Sequence, residues 1–224
     1  MKKIKIKPAL VKICGITNSQ DALWAANLGA DFVGLNFCSE SSRKISVDKA
    51  AEIQSSLPPF IKTVGVFVQE DLGAIEKILK KVKLNFLQFH GLEDAAYLEA
   101  AKNRFALPIW KAVHVQDESS LQKISEVAEF ADAIILDSHH PTQMGGTGQT
   151  FDWKLAAGAK QLGVPRIAEL PIILSGGLNP QNVREAISIA EPWCVDAASG
   201  VEKTGHPRKK DIEKMKEFIL ESKN

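Results

Sequence analysis

Cysteine is scarce in this chain: 224 residues carry three, Cys14, Cys38 and Cys194. The number is odd and no pair has CxxC spacing, which argues against a disulfide framework or a cysteine-built zinc site. Long apolar runs are missing too. None approaches the roughly 20 residues of a membrane span. The opening Met1-Lys2-Lys3-Ile4-Lys5-Ile6-Lys7-Pro8 is basic with no apolar stretch behind it, so it does not read as a signal peptide. Charge of one sign is also lacking. Lys plus Arg is 28 against 27 for Asp plus Glu, a net charge of +1. A nucleic-acid binder should be strongly basic; this balance leaves room only for a local basic patch at an anionic substrate site. A soluble protein of a reducing, cytoplasmic compartment, with no nucleic-acid or membrane partner, is the expectation.

What is present is an ordinary globular mix, 45% hydrophobic and 25% charged. Short runs rich in Val, Ile and Phe recur at 10–14, 32–37, 61–68, 85–90, 109–115, 133–137, 171–175 and 193–197. Several are apolar on both faces, as strands buried in a parallel sheet are. Between them lie stretches with apolar residues three and four apart, which predict helices. The clearest are 71–82, 119–129, 180–190 and 211–221. Asn18 is placed to cap a helix that Gly29 closes, and Asn179-Pro180 reads as an N-cap followed by proline in the first turn. Eight strand–helix units predict a (β/α)₈ TIM barrel, an α/β fold of about 250 residues in its usual form. A doubly wound open sheet is disfavoured by the count and by the lack of a GxGxxG loop after the first strand. No linker divides the chain, so residues 1–224 are expected to form one barrel domain. The longest irregular stretch is 138–150, after the sixth strand. Trp24, Trp110 and Trp153 are expected between barrel and helices.

In such a barrel, chemistry sits at the C-terminal ends of the strands. That rule selects Cys14 after the first strand, Arg43 after the second, Gln88 and His90 at the fourth and Asp137 at the sixth. It also selects Ser175-Gly176-Gly177 at the seventh, and Asp196 with Ser199-Gly200 at the eighth. Glycine amides after strands seven and eight are the usual phosphate cradle of the fold, although turn glycines look the same in a sequence. Gly145-Gly146-Thr147-Gly148 lacks the Gly-Lys-Ser/Thr ending of a P-loop and suits a lid or a tight turn better.

Cys14 and Asp137 offer a base and an acid. An isolated cysteine is more often a small buried hydrophobe, and a strand-end aspartate can be a cap or a structural ion-pair partner. Lys12, two residues before Cys14, is placed either to stabilise a thiolate or to pair with Asp196 on the neighbouring eighth strand. Arg43 is suited to a carboxylate, or is simply a solvated loop charge. His139 and His140 are adjacent and cannot easily share an ion, and no carboxylate or cysteine lies at metal spacing. No metal site is expected.

The motifs resemble one family closely. Val11-Lys12-Ile13-Cys14-Gly15-Ile16-Thr17 is similar to the opening motif of the phosphoribosylanthranilate isomerases of tryptophan biosynthesis. The likeness runs in order through Gly34-Leu35-Asn36-Phe37, Ser42-Arg43-Lys44-Ile45, Val64-Gly65-Val66-Phe67, Gln88-Phe89-His90-Gly91 and Ile135-Leu136-Asp137. It continues through Gly145-Gly146-Thr147-Gly148, Phe151-Asp152-Trp153, Leu174-Ser175-Gly176-Gly177-Leu178 and Ser199-Gly200-Val201-Glu202.

The resemblance implies a cofactor-free Amadori rearrangement, an intramolecular oxidoreduction. N-(5-phosphoribosyl)anthranilate becomes 1-(2-carboxyphenylamino)-1-deoxyribulose 5-phosphate. Asp137 would be the general acid and Cys14 the general base. Gly176, Gly177, Ser199 and Gly200 would bind the phosphate, and Arg43 the anthranilate carboxylate. Asp196 would contact substrate or order Lys12. Barrels of this kind occur as monomers and dimers, so a monomer or a homodimer is expected. Against the family pattern, Phe37-Cys38-Ser39-Glu40 has no proline and Asp196-Ala197-Ala198-Ser199 is smaller than usual. The stretch 202–211 before the last helix is longer.

Three rivals remain. The histidine-pathway isomerase would carry an aspartate at the Cys14 position and two matching halves. A ribulose-phosphate epimerase would carry metal-ligand histidines and acids in the mouth, which the sequence does not display. A non-catalytic barrel should have lost its acid or its base.

Overall fold

A computed structural model describes residues 7–138, 152–159 and 168–224. Eight parallel strands close into a barrel in chain order, with β1 paired to β8. They are β1 (Leu10–Ile13), β2 (Phe32–Asn36), β3 (Lys62–Phe67), β4 (Phe86–Phe89), β5 (Ile109–Val115), β6 (Ala133–Ser138), β7 (Ile172–Leu174) and β8 (Cys194–Ala197). Helices alternate with them: α1 (Ser19–Asn27), α2 (Val47–Ser56), α3 (Leu72–Leu79), α4 (Ala95–Arg104), α5 (Gln122–Val127), α6 (Trp153–Ala159), α7 (Val183–Ala190) and α8 (Ile212–Lys223). The glycine-rich run 145–148, His139 and His140 lie outside the described residues.

Period-two alternation splits each strand between two cores. Outward residues such as Val11, Ile13, Val33, Leu35, Leu87 and Leu136 join the helices in the larger core. Inward residues Phe32, Val64, Trp110, Ala112, Ala133, Ile135, Ile173 and Cys194 fill the barrel itself. Trp110 is thus a correction to the expected placement. It sits inside the barrel, edge-on to Phe32 at 5.1 Å between centroids, whereas Trp24 and Trp153 do pack in the helix layer. Its even position on β5 puts it on the inward face, which hydrophobicity alone does not reveal.

Local signals explain the helix ends. Asn18 accepts from the Asp21 amide. At the other end of α1, Gly29 stands at φ +97°, and its amide and that of Ala30 reach back to the Ala26 and Ala25 carbonyls. Asn179 caps a turn rather than the helix proper. Its side chain accepts from the Gln181 amide, and α7 begins only at Val183. The stretch 119–129 is a single 3₁₀ turn, Glu118–Leu121, running into α5. The long stretch after β8 is a hairpin of β9 (Glu202–Lys203) and β10 (His206–Lys210).

Candidate active site

The C-terminal mouth gathers residues from seven strand ends and their loops: Cys14, Asn36, Arg43, Val66, Gln88, His90, Asp137, Ser175, Gly176, Gly177, Asp196 and Ser199 among them. Cys14 stands just past β1, partly open to the mouth. Its thiol has room because the neighbour on β2 is Gly34, where a Cβ would come within 2.7 Å of the sulfur.

Below the thiol lies a buried ion pair. Lys12 and Asp196 are direct partners in the β1–β8 register, and Lys12 Nζ meets Asp196 Oδ2 at 2.6 Å. Both placements open in the sequence are met at once: Lys12 pairs with Asp196, and its ammonium also hydrogen-bonds the Cys14 thiol. Burial pushes the Lys12 ammonium toward its neutral form. The negative charge of Asp196, then Cys14, more than reverses this and holds it above the usual lysine value. Burial also pushes the Cys14 thiol up, and the Lys12 charge only partly offsets it.

Asp137 closes β6. His90 Nε2 lies 2.9 Å from its Oδ2, and Gln88 Nε2 lies 2.8 Å from His90 Nδ1. With the amide in this orientation, Gln88 donates to Nδ1, which fixes the proton on Nε2 and aims it at the carboxylate. Burial raises the Asp137 carboxyl. The His90 hydrogen bond, then the nearby His90 and His114 rings, pull it below the ordinary aspartate range.

His114 was not singled out by its sequence, yet the β5–β6 register sets it opposite Asp137. One donor atom each from His90, His114 and Asp137 lie within 4.8 Å of one another. His90 and Asp137 line this mouth and His114 lines the adjoining pocket, so a metal-capable group that the sequence did not lead one to expect gathers at its edge. They come from separate strands, and no chain spacing shows them.

Arg43 is not a solvated loop charge. Its Nε and Nη2 bind the two Glu202 carboxylate oxygens at 2.7 and 2.8 Å. Lys210, fully buried, reaches Glu202 at 3.3 Å and the Ala198 carbonyl at 2.8 Å. Burial pushes the Glu202 carboxyl up. The Arg43 hydrogen bonds and the Lys210 charge override it and leave it below the usual value. Arg208 in β10 binds the Ser42 and Lys44 carbonyls, so the hairpin clamps the loop that carries Arg43. Glu202 and Lys210 were missed as site-building residues. The signals were the place of Glu202 at the end of the Ser199-Gly200-Val201-Glu202 motif and the extra length before the last helix.

The glycine loops face the same mouth. Gly176 has φ +87°, and a Cβ there would collide with the Ser138 backbone and crowd Asp137 Oδ1 at 2.7 Å. The Gly177 carbonyl is tied to Asn182 Nδ2 at 3.0 Å. The amides of Gly176 and Gly177 donate to no other described residue. Gly200 lies against the Leu178 carbonyl, where any side chain would clash, so the two loops interlock.

A closed (β/α)₈ barrel with a carboxylate, a thiol and two glycine turns at one mouth is the arrangement of a barrel enzyme. The comparisons narrow this. The family model for N-(5'-phosphoribosyl)anthranilate (PRA) isomerase matches residues 11–221. The N-(5'-phosphoribosyl)anthranilate isomerase of Pelobacter propionicus is 43% identical over 209 residues, 93% of each chain. The crystal structure of the phosphoribosyl anthranilate isomerase of Thermotoga maritima superposes with a TM-score of 0.85 at 41% identity, over 96% of this chain and 98% of that one. A solved isomerase complexed with reduced 1-(o-carboxyphenylamino)-1-deoxyribulose 5-phosphate matches at 39% identity and a TM-score of 0.82, over 96% and 98% of the two chains. The chain belongs to the N-(5'-phosphoribosyl)anthranilate isomerase family.

Proposed function

We propose that this chain isomerises N-(5'-phosphoribosyl)anthranilate in tryptophan biosynthesis, with Asp137 as the acid and Cys14 as the base. Family membership supports the activity. The single observation that supports the roles is the shared mouth, with both groups at strand ends above a packed barrel floor.

Asp137 protonates the ribose ring oxygen, and the C1–O bond opens to an iminium. The iminium acidifies the adjacent C2–H. Cys14 removes that proton to give an enolamine, which tautomerises to the ketone. Each positioned acid or base contributes about 10²–10⁴ in rate. Carbon C1 is reduced as C2 is oxidised, so no outside oxidant, reductant or cofactor enters the balance.

Burial favours the protonated Cys14 thiol, and the His90 hydrogen bond favours the ionised Asp137 carboxylate. The pair carries the one proton that the reaction needs, on the wrong partner. The productive form needs the thiolate and the carboxylic acid, so substrate binding has to shift the proton toward Asp137.

The amides of Gly176 and Gly177, with the Ser199-Gly200 turn, hold the phosphate. Arg43, steadied by Glu202, holds the anthranilate carboxylate. Asp196 orders Lys12 beneath the thiol. The protein acts as a monomer or as a homodimer. Among the described residues no helix is long and apolar enough to cross a membrane. The three cysteines are unpaired, which supports the cytoplasm as the place of action.

The test is to make the substrate in situ from anthranilate and phosphoribosyl pyrophosphate with a transferase, and to follow its fluorescence. Fast loss that Asp137→Asn reduces by about 10²–10⁴ supports activity and acid together. A folded protein giving no loss above spontaneous breakdown would refute the reading.

A further inference from the structure

We propose that His90, His114 and Asp137 form a binding site for a divalent cation of the zinc class, taken up in competition with substrate. The three residues stand at the ends of adjacent strands β4, β5 and β6; His90 and Asp137 line the mouth, and His114 lines the pocket adjoining it. Two imidazoles and one carboxylate are a nitrogen–oxygen set that suits zinc, cobalt(II) or iron(II) better than magnesium or calcium.

The geometry is close to ligation. Bonds of about 2.0–2.2 Å around one ion place its donors about 3–3.5 Å apart. His90 Nε2 and Asp137 Oδ2 already stand 2.9 Å apart, and the His114 donor lies within 4.8 Å of both. The two imidazole rings face each other edge-on, centroids 5.4 Å apart at 73°. His114 is half-buried on the mouth side of β5, so a ring movement of about 1–1.5 Å closes the set.

Gln88 supplies the second observation. A metal-binding histidine presents one ring nitrogen to the ion and donates the other N–H to a fixed acceptor. Gln88 Nε2 now faces His90 Nδ1, while its Oε1 is buried with no hydrogen-bond partner among the described residues. A half-turn of the amide puts that oxygen against Nδ1. His90 then donates from Nδ1 and frees Nε2 for the ion. The far end of the amide loses no hydrogen bond by turning, because it makes none in the present orientation. Three protein ligands leave positions open toward the mouth for water.

Occupancy has a direct consequence. The ion would sit on the oxygen of Asp137 that faces His90, block its protonation and exclude the sugar ring. Zinc should therefore inhibit reversibly, substrate should compete with it, and a chelator should restore the rate.

Cys14 in the same mouth is the rival ligand, and the experiment separates the two. The whole protein is titrated with cobalt(II) and followed by absorption, then with zinc in competition with a coloured chelator. Neither readout needs substrate, so failure of the isomerase reading and failure of this one are distinguishable. One equivalent of cobalt giving visible d–d bands without a thiolate-to-cobalt charge-transfer band is expected. His114→Gln should weaken zinc binding at least about tenfold, and Cys14→Ser should leave it unchanged. His90→Gln serves as the second variant if His114→Gln does not fold. A charge-transfer band that Cys14→Ser abolishes would overturn the proposal. So would zinc affinity that both histidine variants retain, or no uptake at about 100 µM metal.

Discussion

The floor and the mouth of this barrel are built on the same strand faces, two to four residues apart. Leu10, Phe86, Trp110 and Ala133 point inward at the floor. Four residues further along the same strands, Cys14, His90 and Asp137 line the mouth, and His114 stands at its edge beside Asp137. Between them Lys12 and Gln88 form a buried polar middle layer. A pleat repeat of two carries each strand from packing to chemistry without changing direction. The floor thus excludes water from below and fixes the strands. The mouth is free to hold groups that destabilise a fold, such as a buried carboxylate and a left-handed glycine.

That division separates two kinds of damage. Cys14→Ser should lower turnover about 10²–10⁴-fold while affinity for product and the unfolding midpoint stay near the parent's. Turnover within a few-fold of the parent would remove Cys14 from the chemistry and make it a spacer above Lys12. Trp110→Ala should do the reverse. It empties a fully buried aromatic site and should cost about 3–5 kcal/mol of stability, read by urea unfolding. Turnover per folded molecule should change by less than a few-fold. A large loss of turnover would show that the floor shapes the mouth directly.

How much of this was legible beforehand follows the same line. Strand positions showed in the sequence because each apolar run is short, dense and bounded, and the eight strands formed within a residue or two of the expected places. The position of Cys14, Asp137 and the Gly176-Gly177 turn at one mouth was legible because each ends or follows a strand that the sequence marks. Apart from Lys12 with Asp196, the partnerships were not. His90 and His114 meet Asp137 through the register of three strands, and Arg43 meets Glu202 across 159 residues. Such distances are set by closure of the barrel, which no local pattern encodes. The inward turn of Trp110 depends on where β5 begins, and one residue of shift would have reversed it.

The rim offers a middle case, in which a structural pair serves a binding group. Arg43→Ala should raise KM about tenfold or more, the value of a charged hydrogen bond, with a smaller change in kcat. Glu202→Gln keeps the shape and removes the charge that steadies the guanidinium, so KM should rise by only a few-fold. Equal effects of the two would mean that Arg43 and Glu202 act as one unit. An unchanged KM in both would place the substrate carboxylate elsewhere.

The smallest effect compares two thiols on neighbouring strands. Cys194 lies on the floor at full burial, and Cys14 faces the mouth. Burial raises both thiols, Cys194 the further, while Lys12 pulls each of them partway down. Iodoacetamide, followed by peptide mass spectrometry, should therefore label Cys14 slowly at pH 8 and several-fold faster as pH passes 9, with no plateau below that. Cys194 should stay unlabelled until the protein unfolds. The linkage carries the same sign. A thiol raised by folding favours the native state below the ordinary thiol pKa, and that contribution fades as pH climbs toward the raised value. A labelling plateau near pH 7 would mean that Lys12 already holds a thiolate in the empty mouth. The proton would then not need to leave Cys14 when substrate binds, and the base would be ready before its substrate arrives.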